Sequence, residues 1–294
     1  MEKREFLKTL AIGGLGGAAA GALGSSPATT DATRLEKFIK RFEEIQRTRT
    51  FRAGWAPYTI FFSKDDNGQL GGVFYDLTMK IAQMLDWQVE WIAASTYGTI
   101  GQDLDTMRYD VYCGGIWPSP TRAILMSFSD SAFFSGLEVY VRPDLAARAP
   151  QVEDLNSSTY RMAMMDGEMT SFLHKADFDK AAAVSLPQTA QVSELLVNVA
   201  TGKADFTVIE RITAAEYLAA NPGKVVKLPN SKPLRAFPNT FAVARDSLPM
   251  LNIFQVALQE LLNSGYVEQL LTRYETVPDS LYRVVSTFQV PDEQ

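Results

Sequence analysis

Arg161-Met162-Ala163-Met164-Met165, Ala183-Val184-Ser185-Leu186, Asp205-Phe206-Thr207-Val208-Ile209 and Val225-Val226-Lys227-Leu228 punctuate residues 161–228. Each is a short apolar run of strand length, rich in β-branched residues or methionine. Between them lie stretches with helical spacing: one opening near Gly167, then Gln191–Ala200, then Thr213–Ala220. Strands alternating with helices of this length imply a parallel sheet covered on both faces.

An earlier run has the same grain. Phe51–Trp55 reads as a strand, and Phe61 to Val73 as a turn-rich excursion around Asp66-Asn67-Gly68. Leu77, Ile81, Met84 and Leu85 mark a helix. Val89–Ile92 is a strand, Ile100–Met107 a helix and Asp110–Cys113 a short strand. Two runs split by Arg142–Pro150 imply two lobes. Leu137–Val141 and Thr240–Ala244 are strand-like segments at the borders of the second run. If both cross between lobes, the second lobe is an insertion into the first, and the helices after Leu248 return to lobe one. Paired crossing strands form a hinge, with a ligand in the cleft between the lobes and at the C-terminal ends of the parallel strands. The expected organisation is a leader over 1–24, a linker and amphipathic helix over 25–50, lobe one over 51–140 with 240–280, and lobe two over 141–239.

Composition narrows the function. The chain has 294 residues, 46% of them apolar, enough for two domains with sizeable cores. A formal charge of -6 argues against a nucleic-acid partner, which calls for a basic patch. A single cysteine, Cys113, excludes an internal disulfide and a multi-cysteine metal site, and a single histidine, His174, excludes a two-histidine zinc site. No metal or cofactor is expected.

Lys3, Arg4 and Lys8 precede an almost uncharged run from Thr9 to Ser26, with small residues at Ala20-Gly21-Ala22. That is the pattern of an export signal. Lys3-Arg4-Glu5-Phe6-Leu7-Lys8 resembles the twin-arginine export box, with Lys3 in the place of the first arginine. Ser25 to Asp31 is a small, polar, Pro-containing linker. Leu35, Phe38, Ile39, Phe42 and Ile45 then recur at helical spacing, an amphipathic helix expected to dock on the body, with pairing to a partner helix or lying at a membrane surface as the alternatives.

Several segments stand in an informative order: Arg52-Ala53-Gly54-Trp55-Ala56-Pro57-Tyr58, Gly68-Gln69-Leu70-Gly71-Gly72-Val73-Phe74-Tyr75-Asp76-Leu77, Gly115-Ile116-Trp117-Pro118-Ser119-Pro120-Thr121-Arg122 with Phe128-Ser129-Asp130, and Gly202-Lys203-Ala204-Asp205 with Glu210. Through them, residues Phe51 to about Tyr274 resemble the amino-acid-type (family 3) extracellular solute-binding proteins of ABC importers. The resemblance implies an α/β, two-lobed periplasmic-binding-protein-like type II fold, the second lobe inserted in the first, with a two-strand hinge.

Arg122 follows a Pro-rich loop at a C-terminal strand edge, where a guanidinium can clamp a carboxylate with two parallel charge-assisted bonds. The resemblance gives it the ligand α-carboxylate; otherwise it is a surface salt bridge. Ser119 belongs to the same box. Glu210, just past a strand of lobe two, either faces Arg122 across the cleft as an ammonium partner or serves as an acid at a helix N-terminus. The family more often has aspartate there. Trp55 and Tyr58 flank the turn where the family packs an aromatic on the ligand; core packing is the alternative for these rings and for Trp117. Trp117 stands where family members often place a small hydroxyl residue, and Gly115 also lacks a hydroxyl, so a more apolar or more tightly filled pocket is expected. Asp166-Gly167-Glu168-Met169-Thr170-Ser171 opens a helix, with Glu168 and Thr170 as candidate ligand residues: Glu168 would repel a carboxylate and could hold a cationic ligand group, or Asp166 to Ser171 simply cap the helix.

The function expected is capture of an amino-acid-like or other small carboxylate-bearing ligand in the cleft by an exported monomer, outside the cytoplasm, for a membrane permease. Two alternatives remain open. One is a cyclohexadienyl or arogenate dehydratase-like enzyme on the same fold, with Glu168 or Glu210 as general acid. The other is a sensory binding module without transport.

Overall fold

The chain lays down its elements in an alternating order, and the computed structural model describes residues 27–94, 96–148 and 150–284. First come α1 (Pro27–Thr48), β1 (Thr50–Trp55), a hairpin of β2 (Ser63–Lys64) and β3 (Leu70–Gly71), then α2 (Val73–Leu85) and β4 (Gln88–Ala93). After them run α3 (Ile100–Asp105), β5 (Val111–Ile116), β6 (Met126–Phe128) and the long β7 (Phe133–Val141). The second run comprises α4 (Pro143–Ala146), β8 (Arg161–Met165), α5 (Met169–Asp177), β9 (Ala182–Leu186), α6 (Glu194–Ala200), β10 (Phe206–Glu210), α7 (Arg211–Ala220) and β11 (Val226–Lys227). The chain closes with β12 (Arg235–Ala244), α8 (Leu248–Asn263), α9 (Tyr266–Tyr274) and β13 (Leu281–Tyr282).

The strands join in the order β4-β1-β5-β12-β7-β10-β8-β9. Each half of that order is built alike. In one, β4, β1 and β5 are parallel and β12 lies antiparallel against β5. In the other, β9, β8 and β10 are parallel and β7 lies antiparallel against β10. The two long strands pair with each other, Arg235 opposite Leu137 through Asn239 opposite Phe133, and carry the chain between the halves. This is the two-lobed α/β fold with crossing strands. Separate apolar clusters sit on the two sides: one around Phe51, Phe74, Phe241 and Phe254, another around Leu155, Met162, Phe178 and Phe206.

A buried acid anchors each parallel triplet. Asp110, just before β5, accepts the Arg52 backbone N–H at 2.8 Å and bonds from the Arg52 and Arg41 guanidinium groups at 2.8–3.0 Å. Asp205, just before β10, accepts the Arg161 backbone N–H at 2.8 Å, with Arg161 Nε at 3.0 Å and Arg142 at 2.9 Å. Burial pushes both carboxyls up, but the arginine bonds outweigh it and hold them below the usual carboxylate range. Both acids clamp the N-terminal edge of their lobe, so the opposite C-terminal edges face the cleft.

Several sequence expectations shift. The leader at 1–24 lies outside the described residues. Helix α1 begins at Pro27, inside the stretch expected as linker; proline is compatible with a first helical turn, where its missing N–H has no partner to lose. The α1 stripe divides, with Phe38 and Ile45 buried and Leu35 and Ile39 exposed. Burying each such side chain stabilises by about 1.5–3 kcal/mol, and the Arg41–Asp110 pair adds to the docking. The strand expected over Val225–Leu228 shrinks to β11 and runs antiparallel to β7, with Val226 opposite Val141. Helix α6 starts at Glu194 rather than Gln191, because the Glu194 carboxylate accepts the Gln191 N–H at 3.0 Å and caps the turn. Strand β13 pairs with β7 beyond the 240–280 boundary, so a third strand borders the hinge. Among the described residues no helix is long and apolar enough to cross a membrane.

Candidate functional site

The segments that follow the C-terminal ends of β1, β4, β5 and β8 converge on one cavity, and Glu210 at the end of β10 is absent from its wall. Tyr58, Phe61, Tyr97, Gly115, Ile116, Trp117 and Arg122 line it from the first lobe, Glu168 from the second and Asn239 from the crossing strand β12. The inner space is narrow, about 30 Å3 for water-sized molecules, and shares Tyr97 and Arg122 with a neighbouring vestibule of about 510 Å3. Tyr97, Gly98 and Arg122 wall that vestibule on one side, Gly167, Phe172 and Gln188 on the other.

Arg122 is the cation of this cavity. Its guanidinium donates to the Trp117 carbonyl at 2.8 Å and lies over the Phe172 ring, 5.8 Å from the centroid. Among the described residues it makes no ion pair. Burial disfavours its charge, and the nearby Glu168 carboxylate favours it. Its backbone N–H bonds the Ser119 hydroxyl at 3.3 Å. Ser119 thus shapes the turn that presents Arg122 and is absent from the cavity wall.

Glu210 ends β10 and stands at the N-terminus of α7, 1% exposed. Its Oε2 accepts the Tyr58 hydroxyl at 2.7 Å, across the two lobes, and the Thr213 hydroxyl at 3.4 Å. Its Oε1 is buried with no hydrogen-bond partner. Burial raises its pKa from 4.5 to about 7, against the Tyr58 hydrogen bond that lowers it. The nearby Glu168 charge adds to the rise. Arg122 is not its partner, so the pairing across the cleft goes to Tyr58 instead. Burial and the facing Glu210 hold the Tyr58 hydroxyl well above its ordinary range, so Tyr58 is the donor.

Glu168 caps α5. Its Oε2 accepts the Thr170 N–H and the Thr170 hydroxyl, both at 2.9 Å. The Thr170 hydroxyl in turn accepts the Met165 N–H at 2.9 Å. Thr170 is therefore committed to the cap and absent from the inner cavity wall, while Glu168 also borders the cavity. Trp117 stacks on Phe237 at 4.9 Å and donates its indole N–H to Asn239 at 3.0 Å, so it fills the cavity floor rather than leaving it open. Trp55 stacks on Phe62 at 5.0 Å in the core of the first lobe and lines none of the cavity. It lies within β1, whereas Tyr58 follows the strand and turns into the cleft.

The sequence reading missed Phe61, Tyr97, Phe172 and Asn239. Tyr97 comes from the loop after β4, and its hydroxyl donates to the Pro57 carbonyl at 3.1 Å beside Tyr58. Its position just past a parallel strand was the available signal. His174 bonds the Ala181 carbonyl at 2.8 Å, a structural contact within the second lobe.

Two lobes, two crossing strands and a charged pocket between strand ends define a two-lobed ligand-binding fold. Residues 50–277 match the model of the bacterial extracellular solute-binding proteins, family 3, and the chain belongs to that family. Similar solved structures include the ancestral amino acid-binding protein AncCDT-1, described as a precursor of cyclohexadienyl dehydratase, at 27% identity and TM-score 0.69, covering 80% of this chain and 98% of that one. Holo ArgBP from T. maritima has 25% identity and TM-score 0.64, covering 80% and 99%. A putative ABC transporter binding component from Wolinella succinogenes, complexed with lysine, shares the fold at 19% identity and TM-score 0.68, covering 78% and 97%. No curated protein matches the chain.

Proposed function

We propose that this protein captures a small amino-acid-like solute between its lobes, outside the cytoplasm, and presents it as a monomer to the permease of an ABC importer. One observation carries the reading: Arg122 stands in the cavity wall with no carboxylate paired to it among the described residues. A part-buried guanidinium keeps free donors suited to a ligand carboxylate in bidentate geometry. Glu168, in the cavity wall, supplies an acceptor on the second lobe for an ammonium. The inner pocket, at about 30 Å3, holds only two or three waters, so the main body of an amino acid enters by parting the lobes. The vestibule beside Arg122 then has room for a side chain. The arginine-bound form of truncated ArgBP from T. maritima, 25% identical and similar in structure, agrees with a cationic side chain.

A thermal-shift screen of amino acids, dicarboxylates, polyamines and prephenate tests this, with Arg122→Ala alongside. Ligand at 100 times its dissociation constant stabilises by about 2.7 kcal/mol. A shift with one amino-acid class that vanishes in Arg122→Ala is the expected result. No shift with any carboxylate-bearing compound refutes it.

A second reading, an enzyme of the dehydratase type, is favoured by Glu210. A buried carboxyl with a pKa near 7 is poised as a general acid at neutral pH, and one similar structure is described as a precursor of such an enzyme. Turnover of prephenate or arogenate, lost in Glu210→Gln, would establish it in place of the first.

A further inference from the structure

Among the described residues, two side-chain hydrogen bonds cross the cleft. One is Tyr58 to Glu210, deep beside the pocket. The other lies at the mouth, where the Thr96 hydroxyl of the first lobe donates to Oε1 of Gln188 at 3.0 Å. Gln188 stands two residues past β9, at the C-terminal edge of the second sheet. Thr96 is held in place by its own turn: its N–H donates to the Thr99 hydroxyl at 3.2 Å, and that hydroxyl donates back to the Thr96 carbonyl at 3.1 Å.

Room for the Gln188 amide is made by one glycine from each lobe. A Cβ added at Gly98 would lie 2.5 Å from Gln188 Oε1, and one at Gly167 2.8 Å from its Nε2. Real Cβ atoms do not approach that closely. The amide is thus packed between two backbones, an approach that only glycine allows on both sides. The same three residues wall the vestibule beside Arg122.

We propose that Gln188 is an interlobe latch, seated between Gly98 and Gly167 and bonded to Thr96, which favours closure of the lobes through protein–protein contacts alone. The latch stands outside the inner pocket, so it acts on the balance between open and closed forms rather than on ligand chemistry. A net neutral hydrogen bond shifts such a balance by about 2- to 10-fold, and the packed amide adds to it. The inference does not depend on which solute the protein binds.

The test is small-angle scattering of the full chain without added ligand, in a Tyr58→Phe background that removes the other cross-cleft bond. Gln188→Ala deletes the latch. Gly98→Ala leaves Gln188 in place but puts a methyl where its amide sits; the displaced atoms are the end of a flexible side chain, and Gly98 has an ordinary backbone conformation. Circular dichroism and a cooperative melt confirm that each variant is folded. Both double variants are expected to show a larger radius of gyration than Tyr58→Phe alone. A radius equal to that of Tyr58→Phe in either folded double variant overturns the latch. If one double variant fails to fold, the other decides alone.

Discussion

Glu210→Gln replaces one buried carboxyl by an amide of the same shape, and the structure says when that should matter. In the folded protein the Glu210 pKa is raised by burial from 4.5 to about 7. Below about pH 4.5 the group is neutral in both folded and unfolded chains, and its titration contributes nothing to the stability difference. Between pH 4.5 and 7 the unfolded chain releases the proton while the folded chain keeps it, so stability falls as pH rises. Above pH 7 the full penalty is present, on the order of 3 kcal/mol. Glutamine keeps an oxygen to accept the Tyr58 hydroxyl, now 2.7 Å from Oε2, and does not ionise. The Gln variant should therefore melt on the order of 5–10 °C above wild type at pH 8. The two should converge near pH 4.5. Melting curves of both proteins from pH 4 to 8, without ligand, measure the difference directly. Parallel pH profiles would refute the reasoning, because they would mean that Glu210 titrates in the folded protein as it does in the unfolded one.

Asp110→Asn removes the charge that gathers Arg41 and Arg52 at the base of the first sheet, where Asp110 is only 3% exposed in its side chain. Breaking a buried pair on one side costs about 3 kcal/mol, read as a lower melting temperature at pH 7. Because the folded Asp110 carboxyl lies below its ordinary range, this deficit should shrink as the pH falls through the folded pKa; a deficit constant down to pH 2 would count against the assignment. Gly115→Ala places a side chain at a backbone φ of +78°, with its Cβ 2.7 Å from the Phe74 ring, at the pocket wall. A loss of about 1–3 kcal/mol is expected from the backbone conformation and the contact. An unchanged melt would show that the turn relaxes freely.

Alternating strand and helix runs and the two border strands were legible in the chain because they depend on local spacing: apolar residues at period 2 or 3.6 bury one face whatever the partner is. Arg122 was legible for a similar reason, since a short Pro-rich loop past a strand places it at a sheet edge on its own. What residues meet across the cleft was not. Tyr58 and Glu210 are 152 positions apart, and Thr96 and Gln188 are 92 apart. Their pairing depends on how the crossing of β7 and β12 sets one lobe against the other. Trp55 and Tyr58 illustrate the same limit over three residues, one ring in the core and the other in the cleft, decided by where β1 ends. The clamp roles of Asp110 and Asp205 likewise appear only when neighbouring parallel strands bring Arg52 and Arg161 alongside. Sequence by itself determined most of the alternating elements, the two-lobed fold and the placing of Arg122 past a strand end; tertiary structure alone decided which groups Tyr58, Glu168 and Glu210 meet, because a carboxylate's partner and its desolvation are set by contacts between segments distant in the chain.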